Sequence, residues 1–362
     1  MADTSNRGTW EAQMRERIAS LPDSPKEPLV RRLREEKALP FAATGYWLGL
    51  ADESPDRCRT DAHGIPLDPI LAQAIPSQAE FEEKPCEAAD PLGESGHSPS
   101  PRLVHQYRSR ILLRVTGECP VFCRHCFRRS LLSSERGFMN ETALESMERY
   151  LEIHDEVREV LVSGGDPLTA SDDKLEDLFA RMRRSRPGIM IRLCTRAPVT
   201  LPDRVTDGLV SMLRRYRPLR VVIQTNHPRE LSPEFDAAIG RILDAGIPVR
   251  SQSVLLRGVN DDADTLEALF SGLARRGVDP YYLFQGDLAR GTAHFRVPLS
   301  KGLALYAELR KRLSGMELPR YAIDAPGGGG KLFLPEGIAG REGDWWLLSA
   351  PDGSIRHYPE EP

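Results

Sequence analysis

Cys119, Cys123 and Cys126 crowd into eight residues, CPVFCRHC, with the spacing Cys-x3-Cys-x2-Cys. Thiolate sulfur is a soft donor that suits iron–sulfur clusters and zinc. Structural zinc takes four ligands, so here it needs His125 or a distant residue as well. Three thiolates can instead bind three irons of a four-iron cluster and leave the fourth iron open to a substrate or cofactor. Cys58, Cys86 and Cys194 stand alone and read as small buried apolar residues. Six cysteines placed so unevenly do not make a disulfide scaffold.

A second chemical element is DAPGGGGK, Asp324 to Lys331. Consecutive glycines let backbone approach a ligand closely and adopt dihedrals closed to other residues. A phosphate-binding P-loop does not fit, because Ala325 occupies its first glycine position and Leu332 its Ser/Thr position. A lysine after such a run can form a Schiff base with pyridoxal phosphate; the plainer alternative is a surface loop with a solvated lysine. A third segment, SGGDPL from Ser163 to Leu168, reads on composition as a turn.

These segments need a scaffold. From Arg110 onward, short apolar runs alternate with amphipathic stretches. Strands are predicted at Ile111–Val115, Glu159–Val162, Met190–Cys194, Arg220–Gln224, Pro248–Leu255 and Pro280–Phe284. Helices are predicted at Glu141–Ile153, Asp172–Arg184, Pro202–Arg215, Pro233–Ala245, Asp262–Arg276 and Lys301–Leu313. This alternation implies a parallel sheet, closed or nearly closed as a barrel, or open and doubly wound. CPVFCRHC, SGGDPL, TRAP, TNHP, RGVND and GDLARG follow the six strands in turn. Polar and glycine-rich segments at every strand's carboxyl end favour the barrel, whose active site lies on that face. Residues 1–100 read as a helical and irregular extension, with helices at Trp10–Leu21 and Pro28–Lys37. Residues 101–315 read as the barrel and 316–362 as a short carboxyl-terminal segment bearing the lysine.

Composition narrows the function class. With 362 residues, 40% hydrophobic and 28% charged, the chain can bury a sizeable core. Lys plus Arg is 49 against 53 Asp plus Glu, and the net charge of −4 gives no support to nucleic-acid binding. No run reaches the roughly 18 apolar residues of a membrane span, and MADTSNRGTW has no apolar signal core. A cytoplasmic enzyme acting on a small molecule is expected.

CPVFCRHCFRR resembles the radical S-adenosylmethionine superfamily, and together with DAPGGGGK it is similar to the lysine 2,3-aminomutase family. The resemblance runs from about Asp90 to the carboxyl terminus. It implies a partial (βα)6 TIM-like barrel, a [4Fe-4S] cluster on Cys119, Cys123 and Cys126, S-adenosyl-L-methionine chelated by the open iron, and pyridoxal 5'-phosphate on Lys331. It further implies that Arg128 clamps the carboxylate of L-lysine while Asp287 and Asp324 receive its ε-ammonium. A guanidinium fork matches a carboxylate, and two carboxylates select a cation, so the residue chemistry agrees. Ser163, Gly164, Gly165 and Asp166 fall at the superfamily's glycine-rich element, which contacts the cofactor's methionine amino group. Tyr107, Arg110, Gln252 and Tyr281 fall where the family lines its cofactor pocket, and His227 falls near the nucleoside. The resemblance implies an electron donor such as flavodoxin or ferredoxin, and it allows a homo-oligomer.

The sequence departs from the family at two places. No cysteine follows Cys194, so the zinc site of the family's carboxyl-terminal extension is not expected, and Gln106 stands where an arginine is typical. The favoured activity is interconversion of L-lysine and β-lysine. The alternatives are an (R)-β-lysine-forming enzyme serving elongation factor P modification, a radical S-adenosylmethionine enzyme that moves no amine, and a non-enzymatic iron–sulfur or zinc protein.

Overall fold

Six strands alternate with helices where the periodicity requires them: β2 (Arg110–Thr116), β3 (Glu159–Gly164), β4 (Met190–Thr195), β5 (Leu219–Gln224), β6 (Val249–Val254) and β7 (Asp279–Phe284). The computed structural model describes residues 9–21, 26–51, 59–132, 135 and 137–361; Cys58 lies outside them. The strands pair parallel in chain order. A seventh, β8 (Arg320–Ala325), extends the parallel sheet beside β7. Two antiparallel strands flank it: β1 (Leu103–Tyr107) on β2, and β9 (Gly330–Phe333) on β8. The nine strands form one sheet with β1 and β9 at its edges. Side chains bridge those edges. The Lys331 amide donates to Tyr107 Oη at 2.9 Å, and Gln106 Nε2 donates to the Gly328 carbonyl at 3.1 Å. The fold is therefore a nearly closed partial barrel, and Gln106 serves as a closing strut.

Alternation along each strand divides the barrel. Arg192 and Cys194 on β4, Val222 and Gln224 on β5, and Gln252 and Val254 on β6 line an interior cavity. Ile191, Leu193, Val221, Ile223 and Val249 are buried in the core that the sheet shares with the outer helices. Four short or amino-terminal helices come first: α1 (Trp10–Arg15), α2 (Glu27–Glu35), α3 (Gly45–Gly49) and α4 (Pro69–Ala72). The later helices are α5 (Arg129–Leu132), α6 (Glu141–Ile153), α7 (Asp172–Ser185), α8 (Ala197–Thr200), α9 (Asp207–Arg215), α10 (Pro233–Asp244), α11 (Ala263–Arg275) and α12 (Leu299–Arg312). Asn140, Thr206, Ser232 and Asp262 cap α6, α9, α10 and α11 with side-chain oxygens, each cap worth about 1 kcal/mol.

Two predicted helices are shorter than expected. Ile18 pairs with Ala43 in an isolated bridge, which ends the first helix at Arg15. The stretch from Pro202 begins as a single 3-10 turn, and α9 starts afresh from its Thr206 cap. The carboxyl-terminal residues form a three-stranded antiparallel sheet, β10 (Ile338–Glu342), β11 (Trp345–Ser349) and β12 (Ile355–Pro359). Among the described residues, no helix is long and apolar enough to cross a membrane.

Candidate active site

The DAPGGGGK segment is a β-hairpin. Asp324 on β8 and Lys331 on β9 are direct cross-strand partners, and residues 326–329 turn the chain between them. Gly327, Gly328 and Gly330 take φ of +66°, +85° and +83°, which L side chains rarely adopt. The glycines thus build the turn that sets lysine opposite aspartate. Lys331 Nζ donates to both Asp324 oxygens at 2.8 Å and lies 3.9 Å from the Phe284 ring centroid.

Asp287, in the loop after β7, faces the same end of the cavity. Burial, and then the Asp324 charge, push its carboxyl up to about 8. The loop is braced from behind: Tyr358 on β12 donates to the Gly286 carbonyl at 2.7 Å, and Gln285 donates to Tyr358 Oη at 3.0 Å. Arg296 also lines the cavity and is paired with buried Glu87.

At the other end lies the cysteine loop. Cys119, Cys123 and Cys126 line the same cavity as Lys331, Asp324 and Asp287, and its volume is about 360 Å³. Among the described residues the three sulfurs do not gather within 4.8 Å of one another, as donors around a single ion must. His125 Nε2 is engaged 3.3 Å from Asn226 Nδ2. The donor set therefore suits a multi-iron cluster better than zinc. Leu39, Ala42, Phe122 and Leu132 pack against Cys119 and Cys126. Burial and the neighbouring Cys123 sulfur raise the Cys126 thiol to about 11.

The SGGDPL segment supports this loop. Amides of Gly165 and Asp166 donate to the carbonyls of Thr116 and Glu118 at 2.6 and 2.7 Å. A Cβ on Gly165 would stand 2.4 Å from the Glu118 carbonyl oxygen, and one on Gly164 2.5 Å from that of Thr116. Gly165→Ala should therefore cost about 1–3 kcal/mol of strain and displace the residue before Cys119, with a drop in bound iron and in activity of at least ~10-fold. Iron analysis after anaerobic reconstitution checks this. Asp166 accepts from Thr195 Oγ1 at 2.7 Å and from the amides of Arg196 and Leu168 at 2.7 and 3.0 Å. Its carboxylate ties two loops together, and Asp166 lines the cavity with Ser163, Gly164 and Gly165.

The expected fork of Arg128 is not free. Its Nε and Nη2 donate to Glu94 at 3.2 and 2.6 Å, and Nη1 reaches Ser163 Oγ at 3.3 Å. Nε–H and one Nη2–H of the guanidinium are spent on Glu94 and one Nη1–H on Ser163, so a grip on a substrate carboxylate falls to the remaining Nη1–H and Nη2–H. Tyr107, Arg110, Gln252 and Tyr281 all line the cavity. Arg110 reaches it from a strand's beginning because the cavity runs deep into the barrel, and its guanidinium stacks 3.8 Å from the Tyr107 ring centroid. Tyr281 Oη accepts from Tyr282 at 2.9 Å. His227 caps a turn, its Nδ1 accepting from the Arg229 amide at 3.2 Å, and it does not line the cavity.

Sequence reading missed three supporting groups. Arg196 at the end of β4 donates from Nη1 to Cys123 Sγ at 2.6 Å and from Nη2 to Gln73 and Glu230 at 2.6 and 3.1 Å. Glu80 grips both Arg124 and Arg129 of the cysteine motif. Glu94 orients Arg128. TRAP and the arginines of CRHCFRR were visible signals, but their partners were not.

The radical SAM superfamily model matches residues 113–269. An L-lysine 2,3-aminomutase from Fusobacterium nucleatum is 37% identical over 97% of this chain and 82% of its own length. The L-lysine 2,3-aminomutase of Clostridium subterminale is also 37% identical, over 97% of this chain and 84% of its own. The chain belongs to the lysine 2,3-aminomutase family. A glutamate 2,3-aminomutase from Clostridioides difficile is 34% identical over 89% of this chain and 74% of its own, so substrate choice must be argued from the site.

Lysine 2,3-aminomutase family members use a [4Fe-4S] cluster, S-adenosylmethionine and pyridoxal phosphate, and the residues present fit all three. Three cysteine sulfurs, one of them bonded by the Arg196 guanidinium, suit an anionic cluster. Next to them, the buried His125 Nδ1 has no partner among the described residues, and Ser163 Oγ lies on the cavity wall, as a polar ligand there requires. Lys331 supplies the primary amine for pyridoxal phosphate, among Tyr281, Tyr282 and Phe284.

Proposed function

We propose that this aminomutase interconverts L-lysine and β-lysine, with Lys331 holding pyridoxal phosphate and Asp324 with Asp287 receiving the substrate's ε-ammonium. One observation carries the reading: the site already seats a primary ammonium on Asp324, with both oxygens 2.8 Å from Lys331 Nζ. When Lys331 engages the cofactor instead, Asp324 becomes a half-buried carboxylate without its cation, and the ε-ammonium of lysine is the same functional group. Asp287 beside it adds a second negative charge as it ionises, whereas a glutamate side chain meets repulsion at that point.

The cluster and S-adenosylmethionine supply the radical that takes hydrogen from substrate, and pyridoxal phosphate supplies the π-system for nitrogen migration. The chain's own residues orient and enclose. Arg128 meets the substrate carboxylate with its remaining Nη1–H and Nη2–H, its guanidinium held by Glu94. Tyr107 and Gln106 hold the Lys331 hairpin against β1 and keep the barrel's side closed to water. The electron that reduces the cluster comes from a donor such as flavodoxin or ferredoxin.

Lysine binding should depend on pH through Asp287. Its carboxyl, pushed up to about 8, is protonated below that pH and anionic above it. The KM for lysine should fall as pH rises from 6 towards 8 and then level off, and Asp287→Asn should flatten the profile. The function itself is tested by kcat/KM under anaerobic, reducing conditions. Lysine should exceed glutamate by at least ~100-fold, about 3 kcal/mol of discrimination; equal turnover of the two overturns the assignment.

A further inference from the structure

The opposite, amino-terminal end of the barrel holds a second cavity, of about 410 Å³, at the first residues of β3 to β7. Barrel floors are ordinarily packed with branched apolar side chains. This one is lined by four arginines: Arg158 just before β3, Arg192 on β4, Arg220 on β5 and Arg250 on β6. Arg192 and Arg220 are register partners across the β4–β5 pair, so their side chains leave the sheet on the same face at the same level.

The carboxylates in contact do not neutralise the group. Arg192 pairs with Glu159 at 2.7 Å and Arg250 with Asp279 at 3.7 Å. Among the described residues, no ion pair or side-chain hydrogen bond involves Arg158 or Arg220. Four cations against two anions leave the well at +2. Arg250 Nε is buried and has no hydrogen-bond partner, and its guanidinium is held 5.0 Å from the Tyr281 ring centroid. Packing like charges around an open cavity is unfavourable unless an anion joins them.

We infer that the barrel floor is an anion site for a phosphate group carried by a small molecule or free in solution. Guanidinium forks match the tetrahedral oxygens of a phosphate, and a dianion cancels the charge of +2. The site is separate from the catalytic cavity but adjoins it: Arg192, Val222 and Tyr281 line both. An occupant therefore lies one layer of side chains beneath the residues around the cofactor.

The test is calorimetric titration of inorganic phosphate into the anaerobic holoenzyme, its cluster and pyridoxal phosphate already loaded so that the catalytic phosphate position is filled. Arg158→Gln and Arg220→Gln are exposed substitutions that preserve the fold and leave lysine turnover unchanged. The expected result is one saturable phosphate per chain, bound at least ~10-fold more weakly by each variant. Absence of saturable binding up to about 10 mM phosphate, or equal affinity in wild type and both variants, overturns the site. Succinate, a dianion without tetrahedral oxygens, should bind more weakly; succinate binding as tightly as phosphate overturns the phosphate assignment. ADP titrated alongside separates the two sources: tighter binding than phosphate identifies a carried phosphate group, and weaker binding a free one.

Discussion

Asp324→Asn should lower kcat/KM for lysine by about 10²–10³-fold while iron and pyridoxal contents stay near wild type, the loss of one charged partner in a partly buried pair being worth about 3–4 kcal/mol. One cation, Lys331 Nζ, lies 2.8 Å from both oxygens of the carboxylate in the free site. An amide at that position offers one oxygen and no charge. Asp287→Asn should act in the same direction but less strongly, because burial and the Asp324 charge already keep Asp287 largely protonated near neutral pH. In the double variant the two losses should be less than additive, since both groups act on one ammonium. Steady-state kinetics with parallel cofactor analysis separates these outcomes from simple loss of cofactor. Wild-type kinetics in both single variants removes the carboxylate pair from the account.

The second large effect is structural. Glu80→Ala should destabilise the protein by about 3–5 kcal/mol, because it leaves two buried guanidiniums without their counter-charge. Arg124 is fully buried and donates to Glu80 from Nε at 2.9 Å, as well as to the carbonyls of Pro40 and Leu39 at 2.9 and 3.1 Å. Arg129 Nη2 donates to the same carboxylate at 2.6 Å, and its Nη1 to the Gly291 carbonyl at 2.7 Å. The arrangement fastens the cysteine loop to the amino-terminal segment on one side and to the loop after β7 on the other. Although burial opposes ionisation, the arginines hold the Glu80 carboxyl down at about 2, against 4.5 in the unfolded chain. Its stabilisation is therefore complete above pH 4.5 and is lost as pH falls towards 2. Glu80→Ala should unfold at markedly lower denaturant, and between pH 5 and pH 2 it should lose less stability than wild type. A denaturation midpoint within about 0.5 kcal/mol of wild type would contradict this.

What the sequence made legible follows from distance along the chain. Three cysteines within eight residues are local, and so is the alternation of strands and helices. The cross-strand meeting of Asp324 with Lys331 was half visible: both residues stood in one motif, but the glycines read as a cradle for ligand when their positive φ values form the hairpin turn. Supports from afar left no local signal. Glu94 lies 34 residues before Arg128, Glu80 lies 44 before Arg124, and Arg196 lies 73 after Cys123. Only the folded, nearly closed barrel brings them together. For the same reason Arg128 alone suggested an open fork for substrate, when half of it is committed to Glu94. The seventh parallel strand escaped because RYAIDA is short and leads straight into the glycine turn, with no helix after it to complete the βα pattern.

The reaction itself is read most directly by isotope position. Anaerobically reconstituted enzyme, reduced and supplied with S-adenosylmethionine, is incubated with L-lysine carrying nitrogen-15 at C2, and the product is examined by nuclear magnetic resonance. The account predicts β-lysine with the label on the C3 amine and the ε-nitrogen unlabelled. Cleavage of S-adenosylmethionine with lysine left unchanged, or label found anywhere other than C2 and C3, contradicts it.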